Sequence, residues 1–387
     1  MHEKIKFVYR ALSQREDFTQ LCREFAISTK TGYKWRERFL KNGLAGLAEL
    51  SRKPLGNSKQ IAENTVCELI RIKFKKKNWG PKKIRQVYIG NHPDLPVPSL
   101  STVNRVLRKA GLQNSRKRKR HPPGERIQVR APANAPNDVW TVDFKGWWYT
   151  EKQEKCEPLT VRDQYSRYIL SIQILKKGDI SSVKREFERL FNLYGLPKVI
   201  RSDNGSPFAC VQGILGLTKL SVWWMSLGIQ LDRTDPGSPQ QNGAHERMHL
   251  DMKRELEGKI AGSLALHQSA FDVWREEFNN ERPHEALDGK TPASVYRKSE
   301  RAYEPFDQLS YPKGIQSRMV NDRGYIHYKG RRIFAGNAFN GLVIGLDDRG
   351  SEGVRFYLER FLIGHVDLVS CALTSESTKP DQVLPMS

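Results

Sequence analysis

Cysteine is scarce in this sequence of 387 residues, and its five cysteines are scattered. Their number is odd and no Cys-x-x-Cys pair occurs, which argues against a disulfide framework and against a cysteine-based zinc site. We therefore expect ordinary reduced side chains at Cys22, Cys67, Cys156, Cys210 and Cys371.

Long apolar runs are also lacking. The longest apolar stretch, at 214 to 231, is interrupted by Lys219 and several polar residues, so we interpret it as a partly buried helix and not as a membrane span. The N-terminus has neither the uninterrupted apolar core nor the small-residue cleavage site of a secretory signal. These absences predict an intracellular, cytoplasmic protein with no membrane partner.

Acidic residues are rare in the first third of the chain. Residues 1 to 136 contain 31 basic but only 10 acidic residues, whereas the other 251 residues contain 34 basic and 33 acidic ones. Nearly all of the net charge of +22 therefore lies in the N-terminal part. This asymmetry indicates a polyanionic partner, with nucleic acid favoured over an acidic membrane surface.

Residues 17 to 41 show two short helical patterns separated by a break at 26 to 28. Ser28 suits the N-cap of the second helix, because its hydroxyl can accept a hydrogen bond from an exposed amide of the first turn. Thr29, Lys30 and Lys34 would then project where a helix-turn-helix presents side chains to the DNA major groove. We predict such a domain over 1–55; a small bundle with a solvated basic face is the alternative.

A second helical unit is predicted over 56–112. Ser99 or Ser101 caps its last helix, and Gly111 stands where a left-handed C-terminal residue is favoured. The apolar stripe of this helix comprises Val103, Val106, Leu107 and Ala110, and its outer face carries Arg105, Arg108 and Lys109. Two basic helical modules in tandem, helix-turn-helix or winged-helix-like, suggest a long DNA site read in two pieces.

The segment 113–136 has no periodicity and is predicted to be a basic linker. Five consecutive basic residues are followed by a stretch rich in proline and alanine; they are Arg116, Lys117, Arg118, Lys119 and Arg120. Such a run is suited to a DNA phosphate backbone. A solvated charge run and a nuclear-import signal have the same composition, and both alternatives stay open.

From Val139 onward, the pattern changes to three short strands, an amphipathic helix over 181–195 and a buried strand ending at 203–205. This order predicts an α/β mixed sheet covered by helices, over 137–300. After Pro305, short alternating strands with glycine-rich turns predict a small closed β-barrel over 301–372. We expect a disordered tail at 373–387.

Three acidic residues differ from the others by their context. Asp143 lies inside an apolar strand, Asp203 follows a buried strand, and Glu246 opens a helix. Carboxylates at these places can converge, and converging oxygen ligands suit Mg²⁺ or Mn²⁺. Each of them alone would more often be a structural residue. Asp163 competes with them, but Arg162 and Arg167 offer it a structural salt bridge.

These residues carry a resemblance to DDE-class insertion-sequence transposases, most similar to the branch with retroviral-integrase-like cores. The matching segments span most of the chain: LCREFAISTKTGYKWRERF, WTVDF, RSDNGSPF, PGSPQQNGAHER and NERPHEALDGKTPA. The last two are the most specific. Two features depart from the family: 42 residues separate Asp203 from Glu246, more than in the resembling integrases, and the retroviral zinc-binding module is missing.

The resemblance implies an RNase H-like core in which Asp143, Asp203 and Glu246 hold two Mg²⁺ (or Mn²⁺) ions. It further implies that water first releases a 3′-hydroxyl at the element's end, and that this hydroxyl then attacks target DNA. No covalent enzyme intermediate or energy source is then needed, and no G-x-x-x-x-G-K-[ST] motif occurs.

The resemblance also implies partners. The chain would bind the terminal inverted repeats of its own bacterial mobile element, in a nucleoid-associated location. Two ends must be paired, so we expect a homodimer or a higher synaptic assembly. Whether an ATPase partner selects targets stays open.

Residues around the three carboxylates are candidates for DNA contacts. Gln241 and Asn242 precede the helix of Glu246 and are suited to hydrogen bonds near the scissile phosphate. Arg247 and Lys253 lie on that helix, with Lys253 seven positions after Glu246 on the same face. Both are candidate phosphate contacts; a surface charge is the alternative. A non-catalytic DNA-binding regulator and a purely hydrolytic nuclease remain the competing functions.

Overall fold

The computed structural model describes residues 2–49, 61–113, 131–175, 177–210, 213–235, 239–256, 260, 262–305, 309–349 and 353–375. The chain divides into two compact units, residues 1–62 and residues 63–387. The basic run 116–120 lies outside the described residues, so its expected place along DNA is not tested. Among the helices described, none is long and apolar enough to cross a membrane.

The first unit contains three helices, α1 (His2–Leu12), α2 (Phe18–Glu24) and α3 (Thr29–Asn42). Its core is built from side chains that the three helices share, including Phe7, Val8, Leu21 and Cys22. The hydroxyl of Ser28 accepts a hydrogen bond from the Thr31 amide at 3.2 Å, which confirms the predicted N-cap of α3. The helix-turn-helix predicted from the sequence is therefore formed, preceded by a further helix.

The second unit begins with α4 (Glu63–Lys75), α5 (Pro81–Asn91) and α6 (Leu100–Lys109). The Ser99 hydroxyl accepts from the Thr102 amide at 3.1 Å, and Gly111 adopts a positive φ of 70° directly after α6. Three members of the predicted apolar stripe of α6 are buried, whereas Ala110, the fourth, is exposed. Ala110 is the C-cap of this helix, and the stripe ends one turn earlier.

A five-stranded mixed sheet follows, with the order β5-β4-β1-β6-β7. Its strands are β1 (Val139–Phe144), β4 (Pro158–Asp163), β5 (Ile169–Ile174), β6 (Val199–Ser202) and β7 (Gln230–Arg233). Strands β2 (Trp148–Tyr149) and β3 (Lys155–Cys156) form a separate hairpin. Strand β1 pairs antiparallel with β4 but parallel with β6, which confirms the predicted mixed sheet.

Five helices belong to this part of the chain: α7 (Ile180–Tyr194), α8 (Lys219–Ser226), α9 (Gly243–Leu256), α10 (Leu264–Asn280) and α11 (Pro292–Val295). Helices α7 and α8 pack through Phe187, Leu190 and Trp224 against the apolar side chains of β1, β4 and β6. Helices α9 and α10 pack through a second cluster that includes Met248 and Phe271. Because the two clusters are separate, helices cover the sheet on both faces.

The sequence predicted one partly buried helix over the apolar stretch 214–231, and this prediction is wrong. Helix α8 occupies only its middle, and Gly228 turns the chain with a φ of 68° into strand β7. Leu217, Val222 and Met225 pack into the apolar cluster of the C-terminal sheet. The extra length between Asp203 and Glu246 thus includes residues that attach the C-terminal part to the core.

The C-terminal part is a seven-stranded sheet with the order β8-β11-β12-β13-β14-β10-β9. Its strands are β8 (Gln316–Met319), β9 (Tyr325–Tyr328), β10 (Arg331–Phe334), β11 (Val343–Asp347), β12 (Val354–Leu358), β13 (Phe361–Asp367) and β14 (Ala372–Ser375).

The predicted closed β-barrel is wrong for the described residues, because the two outer strands of this sheet form no ladder with each other. Strands β8 and β9 are instead joined by a side chain, since the Arg318 guanidinium of β8 donates to the His327 carbonyl of β9 at 3.3 Å. This bond takes the place of the backbone hydrogen bonds that would close a barrel. Strand β14 also places 373–375 in the sheet and not in a tail; residues 376–387 lie outside the described residues.

Candidate active site

Asp143 and Asp203 are brought to the same edge of the sheet by parallel pairing. In the β1–β6 ladder, Val139 faces Val199 and Thr141 faces Arg201. Asp143 and Asp203 each lie two residues beyond the Thr141–Arg201 pair. Because parallel strands end at the same edge of a sheet, both carboxylates lie where β1 and β6 end. The Asp203 carboxylate also accepts from the Gly205 amide at 3.1 Å, which forms the turn after β6.

Glu246 lies in the first turn of α9 and is exposed. The start of this helix is attached to strand β4, because the buried Arg162 guanidinium donates to the carbonyl of Ala244. Burial is the main cause that lowers the pKa of Arg162 to about 9. The first turn of α9 is thereby held against β4, the strand next to β1, which carries Asp143.

The three carboxylates are electrostatically coupled. The pKa of Asp143 is raised to about 7, mainly by burial and then by the negative charges of Asp203 and Glu246. A divalent cation would relieve this repulsion, and an all-carboxylate donor set suits a hard cation such as Mg²⁺. Within the described part of the chain, however, no three acidic, imidazole or thiol side chains already converge at ligand distances. The donor set thus fits such a cation in charge and chemistry.

A buried hydrogen-bond network lies directly behind Asp143, and it was not predicted from the sequence. His245 is fully buried; its Nδ1 lies 2.8 Å from the Thr141 hydroxyl and its Nε2 lies 2.6 Å from the Thr160 hydroxyl. The Nε2 of His249 lies 2.7 Å from the same Thr160 hydroxyl, which donates to the Asp143 carbonyl at 2.9 Å. These bonds join α9 to β1 and β4.

Both imidazoles of this network are neutral. Burial is the main cause that lowers the pKa of His245 well below its usual value and the pKa of His249 to about 3. The positive charge of Arg162 acts in the same direction on both rings, and that of Lys145 on His249. The network consequently adds no net charge beside the carboxylates. Its sequence signal is the spacing Glu246-x-x-His249, which places both side chains on one face of a helix.

Asp163 has a structural place, but not the predicted salt bridge. Its carboxylate accepts from the amides of Asn137 and Ser166, both at 2.7 Å, and from the Ser166 hydroxyl at 2.6 Å. These bonds close the turn after β4, and neither Arg162 nor Arg167 donates to the carboxylate. Backbone amides and the Ser166 hydroxyl make the hydrogen bonds of this buried carboxylate, and Arg162 acts on it only through its nearby charge.

The predicted DNA contacts near the site have different environments. Gln241 exchanges two 2.8 Å hydrogen bonds with Asp235, so its amide fixes the loop before α9 and is not directed at a ligand. Asn242 has a buried Oδ1 with no hydrogen-bond partner among the described residues. Arg247 is exposed and pairs with Asp251 at 3.1 Å, and Lys253 is exposed on the same helix.

The predicted DNA contacts of the two helical modules lie on exposed helix faces. Thr29, Lys30 and Lys34 are exposed on α3 of the first unit. In the second unit, Arg105, Arg108 and Lys109 are exposed on α6, on the side opposite its buried stripe. Both sets are exposed to solvent, and their contact with DNA stays a prediction.

The second half of α9 contacts the helices of 63–112 through one buried arginine. Arg282 is 1% exposed and pairs with Asp251 and Glu255 of α9 and with Glu277 of α10. Its guanidinium also lies 5.4 Å from the Trp79 ring, in the loop between α4 and α5. Lys76 adds ion pairs to Glu277 at 2.9 Å and to Glu281 at 2.8 Å.

Comparisons with known protein families agree with this architecture. Residues 133–239 and 227–292 each match an integrase core domain. Residues 3–54 match a helix-turn-helix domain and residues 31–107 a homeodomain-like domain.

Among curated relatives, the chain is 28% identical over 274 residues to the insertion element IS407 uncharacterized 31.7 kDa protein of Burkholderia multivorans, covering 68% of this chain and 94% of the relative. It is 25% identical over 252 residues to the insertion element IS476 uncharacterized 39.2 kDa protein of Xanthomonas euvesicatoria, covering 64% of this chain and 69% of the relative.

Among solved structures, the chain is similar to the HTLV-2 integrase catalytic core domain in complex with magnesium, with 20% identity and a TM-score of 0.34. That match covers 43% of this chain and all of the other. The integrase core, the helix-turn-helix domains and the relatives from insertion elements agree with one another. The chain is therefore similar to proteins of bacterial insertion elements, and it combines an integrase core with helix-turn-helix domains.

Proposed function

We propose that this chain binds the terminal inverted repeats of its own mobile element and catalyses metal-dependent 3′-end cleavage and strand transfer into target DNA. Residues 1 to about 136 bind the ends, and residues 137 to about 300 cut and join them. The observation that carries the proposal is the coupling of Asp143 to the charges of Asp203 and Glu246, where β1, β6 and α9 converge.

Asp143, Asp203 and Glu246 are the catalytic carboxylates of this proposal, and they would hold two Mg²⁺ or Mn²⁺ ions. When bound, two such ions activate the attacking oxygen and stabilise the leaving oxygen of an in-line displacement at phosphorus. Asp143 is the most enclosed of the three, because its side chain is 25% exposed whereas Asp203 and Glu246 are exposed. We assign it to orient the donor set, with Asp203 and Glu246 facing the DNA.

The chain's own cations bind and orient DNA. Arg247 and Lys253 on α9 contact phosphates beside the carboxylates, and Asn242 offers its side-chain amide near the same place. Gln241 acts indirectly, by holding the loop that precedes α9.

The two helical modules read the element's ends. Thr29, Lys30 and Lys34 project from the start of α3 toward bases, and Arg105, Arg108 and Lys109 contact the backbone or bases from α6. We further propose that the run 116–120 lies along a phosphate backbone between these modules and the core.

Pairing of two ends requires two catalytic centres, so a homodimer or a higher synaptic assembly on double-stranded DNA is part of the proposal. The protein would act in the bacterial cytoplasm, associated with the nucleoid. None of the relatives described above supports an ATPase partner, and the proposal does not include one.

Strand transfer by the Glu246→Gln variant tests this function. The substrate is a double-stranded oligonucleotide that carries the inverted repeat flanking the gene, with Mg²⁺ and a supercoiled target. We expect end binding to be unchanged and joined products to fall by at least about 10²-fold, because loss of a metal ligand removes several kcal/mol of transition-state stabilisation.

Glu276→Gln is the matched control, since Glu276 is an exposed carboxylate on α10 that pairs with Arg275. This variant should join DNA as the wild type does. Undiminished joining by Glu246→Gln would contradict the proposal. Cleavage without joining by the wild type would instead indicate a hydrolytic nuclease, and binding without cleavage a regulator.

A further inference from the structure

His249 stands beside Asp143 in a position that none of the assigned roles uses. The side chain is 12% exposed, and its Nδ1 lies 3.8 Å from an Oδ atom of Asp143. A separation of 3.8 Å is too long for a hydrogen bond between nitrogen and oxygen. The ring also stands three positions after Glu246 on α9, on the same side of the helix. Two of the three carboxylates are therefore its immediate neighbours in space or along the helix.

The position of the ring proton follows from the bonds of Thr160. A hydroxyl has one proton and two lone pairs, and the Thr160 hydroxyl has three partners. The carbonyl of Asp143 can only accept, so the single proton of Thr160 is directed to it. The Nε2 atoms of His245 and His249 must then both donate to Thr160.

The remaining nitrogen of each ring is consequently an acceptor. In His245 this Nδ1 accepts from the Thr141 hydroxyl at 2.8 Å. In His249 the Nδ1 lone pair faces the Asp143 carboxylate instead. A protonated Nδ1 would donate a hydrogen bond to this carboxylate, and the separation of 3.8 Å shows that none is formed, so the nitrogen carries a lone pair. A neutral nitrogen lone pair and a carboxylate oxygen repel each other when nothing lies between them.

A cation between the two atoms would turn this repulsion into attraction. Ligand distances to nitrogen and oxygen are about 2.1 Å, so two donors of one cation lie about 3–4 Å apart. The observed 3.8 Å lies within that span. A hydrogen bond to the second ring nitrogen, which Thr160 provides, is the usual way in which proteins fix a metal-binding imidazole.

We propose that His249 donates its Nδ1 to the cation held by Asp143, and that Thr160 fixes the ring in the required tautomer. The inference rests on the function proposed above. It replaces the all-oxygen donor set expected from the sequence with a mixed set of nitrogen and oxygen donors. Because imidazole favours transition metals over Mg²⁺, His249 would increase the preference of the site for Mn²⁺.

Electron spin-echo spectroscopy of the full chain loaded with Mn²⁺ tests the assignment directly, without turnover. Wild-type protein should show modulation from a directly bound ¹⁴N nucleus. His249→Gln keeps a side-chain N–H for Thr160 but offers no ring nitrogen, so this modulation should vanish. The Mn²⁺ affinity should fall at least about tenfold and the Mg²⁺ affinity should fall less.

His267→Gln is the matched control, because His267 is also a buried imidazole but bonds to a backbone oxygen of α10. Its nitrogen modulation should equal that of the wild type. A measurement without any substitution uses a chain labelled with ¹⁵N at histidine. In that chain the modulation should move to the ¹⁵N frequency, and an unshifted spectrum would overturn the inference.

The Asp143→Asn variant separates the two proposals. If this variant loses tight Mn²⁺ binding while the wild type shows no nitrogen modulation, the inference about His249 is wrong and the carboxylate site stands. If Asp143→Asn binds Mn²⁺ as the wild type does, both the site and the inference are wrong. Equal modulation in wild type and His249→Gln would overturn the inference alone.

Discussion

The two halves of helix α9 use carboxylates in opposite ways. In the first half, Glu246 stands with Asp143 and Asp203, and like charges raise the pKa of Asp143. In the second half, Asp251 and Glu255 are paired with the buried Arg282. Both halves contain exposed or half-buried acidic residues on one continuous helix. The role of a carboxylate on this helix thus depends on its neighbours: Asp251 and Glu255 are paired with a buried cation, whereas Glu246 faces other carboxylates.

The two halves are also attached to the protein by different forces. The first half is held by hydrogen bonds between the neutral rings of His245 and His249 and two threonine hydroxyls, and by the Arg162 guanidinium, which donates to the Ala244 carbonyl. The second half is held by ion pairs and by the stacking of Arg282 against Trp79, Trp274 and Phe278. Because Trp79 belongs to 63–112, Arg282 links the second half of this helix to the preceding helical module.

Replacement of Arg282 should produce the largest change in stability. Arg282→Met removes one partner of a buried charge network and leaves Asp251, Glu255 and Glu277 without their common cation. We expect the free energy of unfolding to fall by about 3–5 kcal/mol, as is typical when a buried ion pair loses one member. Urea denaturation of the full chain, followed by tryptophan fluorescence, measures this loss.

Arg247→Met is the matched control, because Arg247 pairs with the same Asp251 from an exposed position on α9. An exposed pair contributes about 1 kcal/mol or less, so this variant should unfold almost as the wild type does. Equal losses for the two variants would contradict the contrast between the buried and the exposed partner of Asp251.

Replacement of Thr141 tests how much the hydrogen bonds of His245 stabilise the attachment of the first half of α9. Thr141→Val preserves the shape of the side chain but leaves the buried Nδ1 of His245 without its donor. An unsatisfied buried acceptor costs about 2 kcal/mol, and the loss should be the same in low and high salt because no charge is involved. Denaturation in two salt concentrations checks both statements. A strong dependence on salt would show that charge, and not hydrogen bonding, attaches this half.

Lys83 lies near the ion pairs of the second half of α9, and it should make the free energy of unfolding depend on pH. Burial is the main cause that lowers its pKa to about 8, and the positive charge of Arg282 acts in the same direction. Between pH 8 and about 10.4 the unfolded chain binds more protons at this lysine than the folded chain does, so its contribution to stability rises with pH. After allowance for solvent screening we expect a rise of about 1 kcal/mol.

Lys83→Met should abolish that rise, while the stability of Lys82→Met, whose lysine lies on the exposed side of the same helix, should follow the wild-type profile. Denaturation at pH 7.5, 8.5 and 9.5 compares the three proteins. Parallel profiles for the wild type and Lys83→Met would contradict the lowered pKa.

Local patterns were sufficient for most elements of the fold. The N-caps at Ser28 and Ser99 and the glycine after α6 were predicted because capping depends on only a few neighbouring residues. The mixed sheet was predicted because strand lengths and the position of α7 determine its connections. Most of strand β14 was predicted as tail, because the strand is short and lacks a clear alternation of apolar and polar residues.

Long-range contacts were beyond the reach of the sequence. Thr160 meets His245 across 85 positions and Trp79 meets Arg282 across about 200, and neither residue has a neighbour that signals its partner. The three carboxylates could be singled out from the sequence, because each of them stands at an unusual place in its own strand or helix. Closure of the C-terminal barrel was also predicted wrongly. Closure depends on how two strands that are distant in the sequence meet, and local patterns do not show this.

We infer from the raised pKa of Asp143 that the charges of Asp143, Asp203 and Glu246 repel one another and that a divalent cation completes the site. Thermal unfolding of DNA-free wild type and Asp143→Asn at pH 8, with and without Mg²⁺, tests this claim most directly. Without Mg²⁺ the variant should melt at a higher temperature, since one of three repelling charges is gone; only the wild type should be stabilised by Mg²⁺. A variant that melts lower without Mg²⁺ and gains as much from Mg²⁺ as the wild type would contradict the account.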